Sequence, residues 1–445
     1  MSVGWWQLAR MAVNPKIVLP PLRVMRELRR RGISRLPGDV YDMKQGRVRP
    51  LAFLRFVRTW LDGERITRHR GQWVLNSFLP PFPGPAYERL FTNQLSGRHL
   101  SPQSAFLAVT SACPNRCWHC SAAGRDGEDV ASAEWERTID QCLELGASII
   151  GFTGGEPCLQ PDLPSLVRRA AQGGAATIVF SSGNGVVQVQ IQALADAGLW
   201  AFSVSLDSTD SAVHNRLREN DQAFEHAIAA IRQAREAGLY TMVGMVATPE
   251  AVDAGGVEAM HALAATLGVD ELRITEPMPC GKLAGCGKEG LLSPEQVARL
   301  RQFHIETNRQ GDGPKVCAFN QVEGPQTFGC NAGTQHLYVD AAGRVCPCDF
   351  TPLSFGNVRE EPLAEIWKRM NLAMGDNPRR DCFIQKHHAL VAAKAAEGHP
   401  WPLPPDASAE VCRQAGPDEL PDWFAMVMGK ATPSASQEEG SARKE

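Results

Sequence analysis

The chain has 445 residues, 43% hydrophobic and 21% charged, with a formal net charge of −3, as in a soluble globular protein of two or three domains. No apolar run approaches the length that spans a bilayer, and the N-terminus lacks the apolar core and cleavage site of a signal peptide. Thirteen cysteines in such a chain favour metal sites and reduced thiols over a disulfide framework, so we expect a cytoplasmic protein.

The first hundred residues are strongly basic. They carry 18 Lys and Arg against 6 Asp and Glu, a net charge of +12, which leaves −15 for the rest of the chain. The cluster RELRRRGISR follows an apolar stretch that contains Trp5 and Trp6. Two interpretations fit this segment: a solvated arm on an acidic domain, or a surface for anionic lipid or an acidic partner at the inner face of the membrane. No nucleic-acid-binding module is recognisable, so nucleic acid is not expected as a partner.

From about residue 105 the sequence alternates between short apolar stretches and amphipathic segments. Six strand–helix steps follow one another without a hairpin signal, which predicts an α/β fold with a parallel sheet covered by helices. In such folds the loops after the carboxyl ends of the strands share one rim, where active sites lie. The predicted strands are AFLAVT, ASIIGFTGG, ATIVFSSG, WAFSVSLD, YTMVGMVAT and DELRIT.

Three cysteines stand in the loop after the first of these strands. Cys113, Cys117 and Cys120 form a C-x3-C-x2-C pattern, and three thiolates on so short a loop can converge on zinc or an iron–sulfur cluster. A structural zinc site is usually closed by a fourth local ligand. His119 is poorly placed to reach the same metal, so the spacing predicts an open, reactive metal site.

The next strand ends carry further polar or glycine-rich loops on the same rim. The second ends in TGGEP, with a glycine pair that permits close backbone approach to a ligand and a carboxylate at Glu156. SSGNG follows the third, and SLDS, Ser205 to Ser208, ends the fourth, with HNRLR shortly after. Four such loops on one rim predict a ligand site there.

These motifs together resemble the radical S-adenosylmethionine superfamily over about residues 105–280. The resemblance implies a partial (β/α)6 barrel in which Cys113, Cys117 and Cys120 bind a [4Fe–4S] cluster. S-adenosylmethionine would chelate the fourth iron, which explains the missing ligand. Reductive cleavage would give a 5′-deoxyadenosyl radical, and a flavodoxin or ferredoxin is the expected reducing partner.

The same resemblance implies the residues that contact S-adenosylmethionine. The segment HNRLRE departs from the usual H-D-x-x-R-G, with Asn215 and Glu219 in place of Asp and Gly. A cationic Arg suits a carboxylate, and a surface ion pair is the alternative role for this side chain. The expected contacts are Gly154, Gly155, Glu156, Ser205, Asp207 and Arg218.

A second group of cysteines follows the barrel. Cys330, Gly343 and Cys348 have the spacing C-x12-G-x4-C, and LYVDAAGRVCPC alternates like a hairpin. The pattern resembles the SPASM/twitch extension, which holds one or two auxiliary [4Fe–4S] clusters. Only Cys382 and Cys412 lie downstream, so the resemblance implies one auxiliary cluster, with Cys330, Cys348, Cys382 and either Cys346 or Cys317 as ligands.

The predicted domains are a basic segment (1–100), a radical S-adenosylmethionine core (101–285), a SPASM/twitch-like domain (286–415) and a largely disordered tail (416–445). We expect an enzyme that modifies a peptide, a cofactor precursor or another small substrate. A lipid or isoprenoid substrate at the membrane surface is one alternative, and a non-catalytic zinc or iron–sulfur protein is another. The substrate cannot be deduced from the sequence.

Overall fold

The computed structural model describes residues 10, 13–19, 41–42, 47–48, 61, 63–95, 101–186, 188–286, 290–375 and 377–427. Trp5, Trp6, the cluster RELRRRGISR and most of the predicted tail lie outside these residues, so the membrane-contact hypothesis and the predicted tail disorder remain predictions. None of the helices in the described part is long and apolar enough to cross a membrane.

The strands fall into one large sheet and two short hairpins, and the large sheet carries the site. In chain order the strands are β1 (Tyr41–Asp42), β2 (Arg47–Val48), β3 (Thr67–His69), β4 (Gln72–Val74), β5 (Ser104–Ala108), β6 (Ile149–Thr153), β7 (Ala176–Ser181), β8 (Ala201–Ser205), β9 (Tyr240–Val246), β10 (Glu271–Thr275), β11 (Lys315–Ala318), β12 (His336–Val339) and β13 (Val345–Cys346).

Helices connect and cover these strands. In chain order they are α1 (Pro85–Leu95), α2 (Ser132–Leu145), α3 (Leu163–Gln172), α4 (Gln188–Asp196), α5 (Ser211–Arg218), α6 (Ala223–Glu236), α7 (Pro249–Asp253), α8 (Gly256–Leu267), α9 (Pro294–Gln310), α10 (Phe319–Val322), α11 (Leu363–Met374), α12 (Phe383–Ala396), α13 (Pro405–Ala415) and α14 (Asp422–Val427).

The large sheet has nine strands in the order β11-β10-β9-β8-β7-β6-β5-β12-β13. The pairings from β5 to β11 are all parallel, as the alternation of strands and helices predicted. The result is a partial barrel of the predicted α/β class. Two strands from beyond residue 286 extend it: β11 pairs with β10, and β12 pairs in parallel with β5. Residues assigned by sequence to the C-terminal domain thus complete both edges of the same sheet.

The two faces of the barrel strands differ in exposure. Outward side chains such as Leu107, Phe152 and Val243 are fully buried under the helices, in one apolar cluster. Inward positions in the upper half of the barrel, including Phe106, Phe180 and Gly244, are only half-buried. An inward side chain that keeps some accessible surface indicates an open interior, which we call the lumen.

The amino end of the lumen is closed by residues 63–95. Val74 packs inside the barrel against Tyr240 and Met242, in an apolar layer at the amino ends of the strands. Lys315 is buried beneath this plug, and its Nζ donates to the backbone oxygens of Val74 (2.8 Å) and Leu75 (3.0 Å). The described part of the basic N-terminal segment therefore seals the barrel.

Replacing Lys315 by Met should destabilise the protein by about 2 kcal/mol, because two buried carbonyl oxygens would lose their donor while the apolar stem is kept. Chemical denaturation followed by circular dichroism measures this change. Lys368→Met, on the exposed side of α11, is the matched control and should change the unfolding free energy little. Equal stability of both variants would show that the plug does not depend on Lys315.

Candidate active site

The three-cysteine loop leaves the carboxyl end of β5 and is attached to the end of α5. The backbone N–H of Arg116 donates to the carbonyl of Arg218 (3.0 Å), and that of Trp118 donates to Leu217 (3.1 Å). The helix α5 contains the segment HNRLR, which the sequence analysis placed near the rim without assigning it a structure. It holds the loop through main-chain hydrogen bonds that do not depend on side-chain identity.

Arg218 joins this loop to the end of β8. Its Nη2 lies 2.6 Å from Asp207 Oδ2, and its Nη1 donates to the sulfur of Cys117 at 3.5 Å. Both charged side chains are buried, with exposed fractions of 6% for Arg218 and 3% for Asp207. Although burial opposes it, Arg218 lowers the pKa of Asp207. The guanidinium is therefore engaged with the strand end and the cysteine loop, where it favours the thiolate form of Cys117.

The loop offers the donors that an iron–sulfur group needs. Burial raises the pKa of Cys113 to about 11 and also raises that of Cys117, so iron would displace their protons on binding. Three buried N–H donors around this loop have no hydrogen-bond acceptor among the described residues. They are Asn115 Nδ2, Trp118 Nε1 and Arg218 Nε. Three soft thiols with surplus donors suit an anionic cluster. No three His, Cys, Asp or Glu side chains of the described part already stand close enough to hold one metal ion. The fit therefore rests on donor type and on the shared loop.

The glycine pair after β6 packs against the backbone that leads into the cysteine loop. A Cβ at Gly154 would lie 2.3 Å from the carbonyl oxygen of Thr110, and one at Gly155 would lie 2.1 Å from that of Ala112. Gly154 also has a φ of +133°, which residues with a side chain rarely adopt. Only glycines allow this approach, so the pair fixes the two neighbouring loops to each other beside any ligand.

Glu156 is completely buried, and its carboxylate joins β6 to the loop after β7. Oε1 accepts from the Ser181 hydroxyl (2.8 Å) and the Cys158 amide (3.1 Å). Oε2 accepts from the Ser182 amide (2.7 Å) and hydroxyl (2.6 Å). The side chain thus anchors the SSGNG loop, one of the four rim loops that the sequence analysis identified.

Sequence reasoning missed two further supports of the cysteine loop. Asn115 Oδ1 accepts from the side chains of Asn184 (3.0 Å) and Asn220 (2.9 Å), which connects three rim loops. After β10, a Cβ at Gly281 would lie 2.1 Å from the Cys120 carbonyl oxygen, and the Lys282 amide donates to the same oxygen at 3.0 Å. The segment GKLAG was the only signal for this contact.

Three of the C-terminal cysteines are neighbours, although they do not stand close enough to hold one metal ion. The Cys382 thiol lowers the pKa of Cys330, and Cys348 interacts electrostatically with both. Cys330 is held by a two-way backbone pairing with Arg379 (2.8 and 3.1 Å), and Cys382 caps the start of α12. We call these three thiols the auxiliary site.

The two thiols considered as a fourth auxiliary ligand lie elsewhere. The sulfur of Cys346 accepts from Arg125 Nη1 at 3.4 Å and packs against Ala108 and Tyr338. Cys317 points inward from β11, among groups that include Glu271. The hairpin places Cys346 under the barrel edge although only Pro347 separates it from Cys348, because β13 pairs with β12 there.

Acidic groups and a cavity border the auxiliary site. Glu323 lies near Cys330, and burial raises the pKa of Glu323 to about 8. Burial also raises the pKa of Asp349, next to Cys348. A cavity of about 330 Å³ is lined by Cys382, Glu323, Phe319 and other residues that follow β10.

The wall of the lumen is aromatic, and one of its rings lies beside the auxiliary site, because the Phe350 amide donates to the sulfur of Cys348 at 3.4 Å. Ring-centroid distances are 5.0 Å for Phe106–Phe180, 5.7 Å for Phe78–Phe319 and 6.1 Å for Phe319–Phe350. All five rings are half-buried. Small residues face them: Gly244 on β9 and Ser203 and Ser205 on β8. The arrangement suits a flat apolar ligand.

Replacing Glu156 by Ala should lower stability by about 3 kcal/mol, because four buried donors would lose a charged acceptor. Loosening of the SSGNG loop should weaken S-adenosylmethionine binding at the same time. Thermal unfolding and calorimetric titration of the reconstituted protein measure the two effects. Glu144→Ala, at an exposed position of α2, is the control. Weaker binding with unchanged stability would mean that Glu156 contacts the ligand without supporting the loop.

Protein-family models match the two parts of the chain that contain these cysteine sites. The model of the radical SAM superfamily matches residues 107–262, and that of the SPASM iron–sulfur cluster-binding domain matches residues 330–390. Two curated relatives are AdoMet-dependent heme synthases. That of Methanosarcina barkeri is 24% identical over 294 residues, 60% of this chain and 82% of the relative. That of Nitratidesulfovibrio vulgaris is 26% identical over 296 residues, 60% of this chain and 80% of the relative.

Solved structures share the fold. Streptococcus suis SuiB bound to its precursor peptide SuiA superposes with a TM-score of 0.52 at 16% identity, covering 63% of this chain and 68% of that one. SuiB bound to S-adenosylmethionine gives a TM-score of 0.50 at 15% identity, covering 63% and 71%. At this identity the likeness shows a common architecture.

The family matches imply the cofactors as well as the fold. A radical SAM domain implies a [4Fe–4S] cluster and S-adenosylmethionine, and a SPASM domain implies auxiliary iron–sulfur clusters. With its three-cysteine loop at the carboxyl end of a parallel barrel and further cysteines gathered beyond it, the chain is an enzyme that contains a radical SAM domain and a SPASM domain.

Proposed function

We propose that the chain acts on a tetrapyrrole held in the lumen. The observation that carries this proposal is the group of five half-buried phenylalanine rings that line the lumen. A flat aromatic macrocycle can bury its faces against such rings, and small residues opposite them leave room for it. The curated relatives named heme synthases, matched over about four-fifths of their length, support the same substrate class.

Residues at the rim hold the cofactors, and residues around the lumen hold the substrate. When bound, the reduced cluster and S-adenosylmethionine supply a 5′-deoxyadenosyl radical that takes a hydrogen from the substrate. Arg218 and Glu156 fix the loops that hold this group, and the plug around Val74 closes the opposite end of the barrel. The lumen orients the substrate and keeps water from the radical.

The auxiliary site supports one cluster rather than two. Cys330, Cys348 and Cys382 provide three thiolates, and Cys346 and Cys317 lie in other surroundings. A cluster held by these three thiols would need a fourth ligand, which the Glu323 carboxylate near Cys330 could supply. The expected task of the auxiliary cluster is electron transfer, with a flavodoxin or ferredoxin as the external electron donor.

We predict about eight irons per chain in the anaerobically reconstituted protein, from two [4Fe–4S] clusters. The Cys113→Ala/Cys117→Ala/Cys120→Ala variant should retain about four irons and lose S-adenosylmethionine cleavage. The Cys330→Ala/Cys348→Ala variant should also retain about four but keep cleavage. Iron assay, electron paramagnetic resonance and 5′-deoxyadenosine chromatography measure these outcomes. About twelve irons in the wild type would show a second auxiliary cluster.

The substrate class is tested by turnover. The reconstituted protein, dithionite and S-adenosylmethionine are incubated with an iron porphyrin that carries propionate side chains. We expect a porphyrin product of altered mass, formed together with 5′-deoxyadenosine. Cleavage of S-adenosylmethionine without any change in the porphyrin would overturn the tetrapyrrole proposal but leave the enzyme class intact, and a peptide would then be tested next.

A variant of the lumen locates the substrate. A Cβ at Gly244 would meet only Ser203 Oγ at 3.4 Å and Val204 O at 3.9 Å, so a larger side chain there fits the strand and enters the lumen. Gly244→Leu should reduce porphyrin turnover at least about tenfold, while Gly244→Ala stays near wild type. Iron content and melting temperature serve as folding controls. Full activity of Gly244→Leu would place the substrate outside the lumen.

A further inference from the structure

The side chain of Arg273 enters the aromatic part of the lumen. Arg273 lies in the middle of β10, beside Gly244 in the register of the sheet, and is half-buried. Its guanidinium carbon lies 4.2 Å from the centroid of the Phe78 ring and 5.4 Å from that of Phe180. The side chain therefore reaches across the lumen, supported by two rings that favour a cation above their faces.

Arg273 is held in place without being neutralised at close range. Its Nη1 donates to the Ser77 hydroxyl at 3.1 Å, and that hydroxyl donates to Glu271 Oε1 at 2.5 Å. Glu271 also accepts from Tyr240 at 2.9 Å, so its charge is shared at the floor of the barrel. In the described part of the chain the Arg273 guanidinium forms no direct ion pair, but Glu323 and Asp349 lie within electrostatic range of it. Ser77 accepts from one of its five N–H groups.

A fixed, half-buried guanidinium in an apolar wall is suited to a carboxylate. A planar fork of donors can bind both oxygens, and the low local dielectric strengthens the pairing relative to water. Its neighbour in the sheet is Gly244, which has no side chain to fill the space beside it. An apolar ligand without an anionic group would leave this cation without a partner in direct contact.

We propose that Arg273 binds a side-chain carboxylate of the substrate and so selects among flat apolar ligands those that carry acid groups. This inference rests on the proposed function and adds the group that the lumen recognises. The phenylalanine rings contact the macrocycle, and Arg273 fixes its rotation by holding one acidic substituent. Arg273 is a specificity residue, remote from the atoms of the cysteine loop.

The test compares two probes that differ only in charge. Protoporphyrin IX and its dimethyl ester, in the same detergent buffer, are titrated into the reconstituted protein and followed by Soret absorbance. The wild type should bind the free acid at least about tenfold more tightly than the ester. Arg273→Gln should lose this preference by weakening only the acid, and Arg273→Lys should recover part of it. Arg299→Gln, at an exposed ion pair on α9, should behave as the wild type.

Each other outcome has a defined consequence. Equal loss of affinity for acid and ester in Arg273→Gln would mean that the residue only shapes the lumen and would overturn the inference. If Arg273→Gln still preferred the acid as strongly as the wild type does, the substrate carboxylate would bind elsewhere. That outcome would also overturn the inference. If the wild type binds both probes equally well, the tetrapyrrole proposal stands and the role of Arg273 falls. If it binds neither probe, both proposals fall together.

Discussion

The buried ion pair between Arg218 and Asp207 is the constraint on which the active site depends. It joins the end of β8 to the end of α5, and the same guanidinium reaches the sulfur of Cys117. Removing one member of such a pair leaves an uncompensated buried charge and typically costs about 3–5 kcal/mol. The pair therefore fixes the position of the cysteine loop relative to the strand ends, and with it the distance from the loop to the lumen.

Around this pair the rim loops support one another rather than act singly. Glu156 holds the loop after β7, Asn115 connects to Asn184 and Asn220, and the turn at Gly281 packs on Cys120. The Glu156 carboxylate and Asn115 Oδ1 are buried acceptors that neighbouring loops satisfy, and the Gly281 turn adds close backbone packing. Such a network rigidifies the site before any cofactor binds, which reduces the ordering cost at that step.

The lumen is made by three parts of the chain that are distant in sequence. Residues around Val74 form its floor, the barrel strands form its wall, and Phe319 and Phe350 from the C-terminal region close its side. The auxiliary site lies on this third part, so its position relative to the substrate space is set by the same packing. Strand β12, which pairs with β5, fixes the C-terminal region at the edge of the barrel.

The sequence by itself determined the features that depend on short-range spacing. The cysteine pattern, the glycine pair after β6 and the alternation of strands and helices predicted the parallel barrel, the cluster loop and the auxiliary hairpin, because each depends on residues only a few positions apart. Tertiary structure alone decided which distant groups meet. It paired Arg218 with Asp207 and Cys117, brought Cys382 to Cys330 and Cys348 while leaving Cys346 and Cys317 apart, and placed Arg273 across the lumen. These contacts follow from strand order and barrel closure, which local periodicity does not encode.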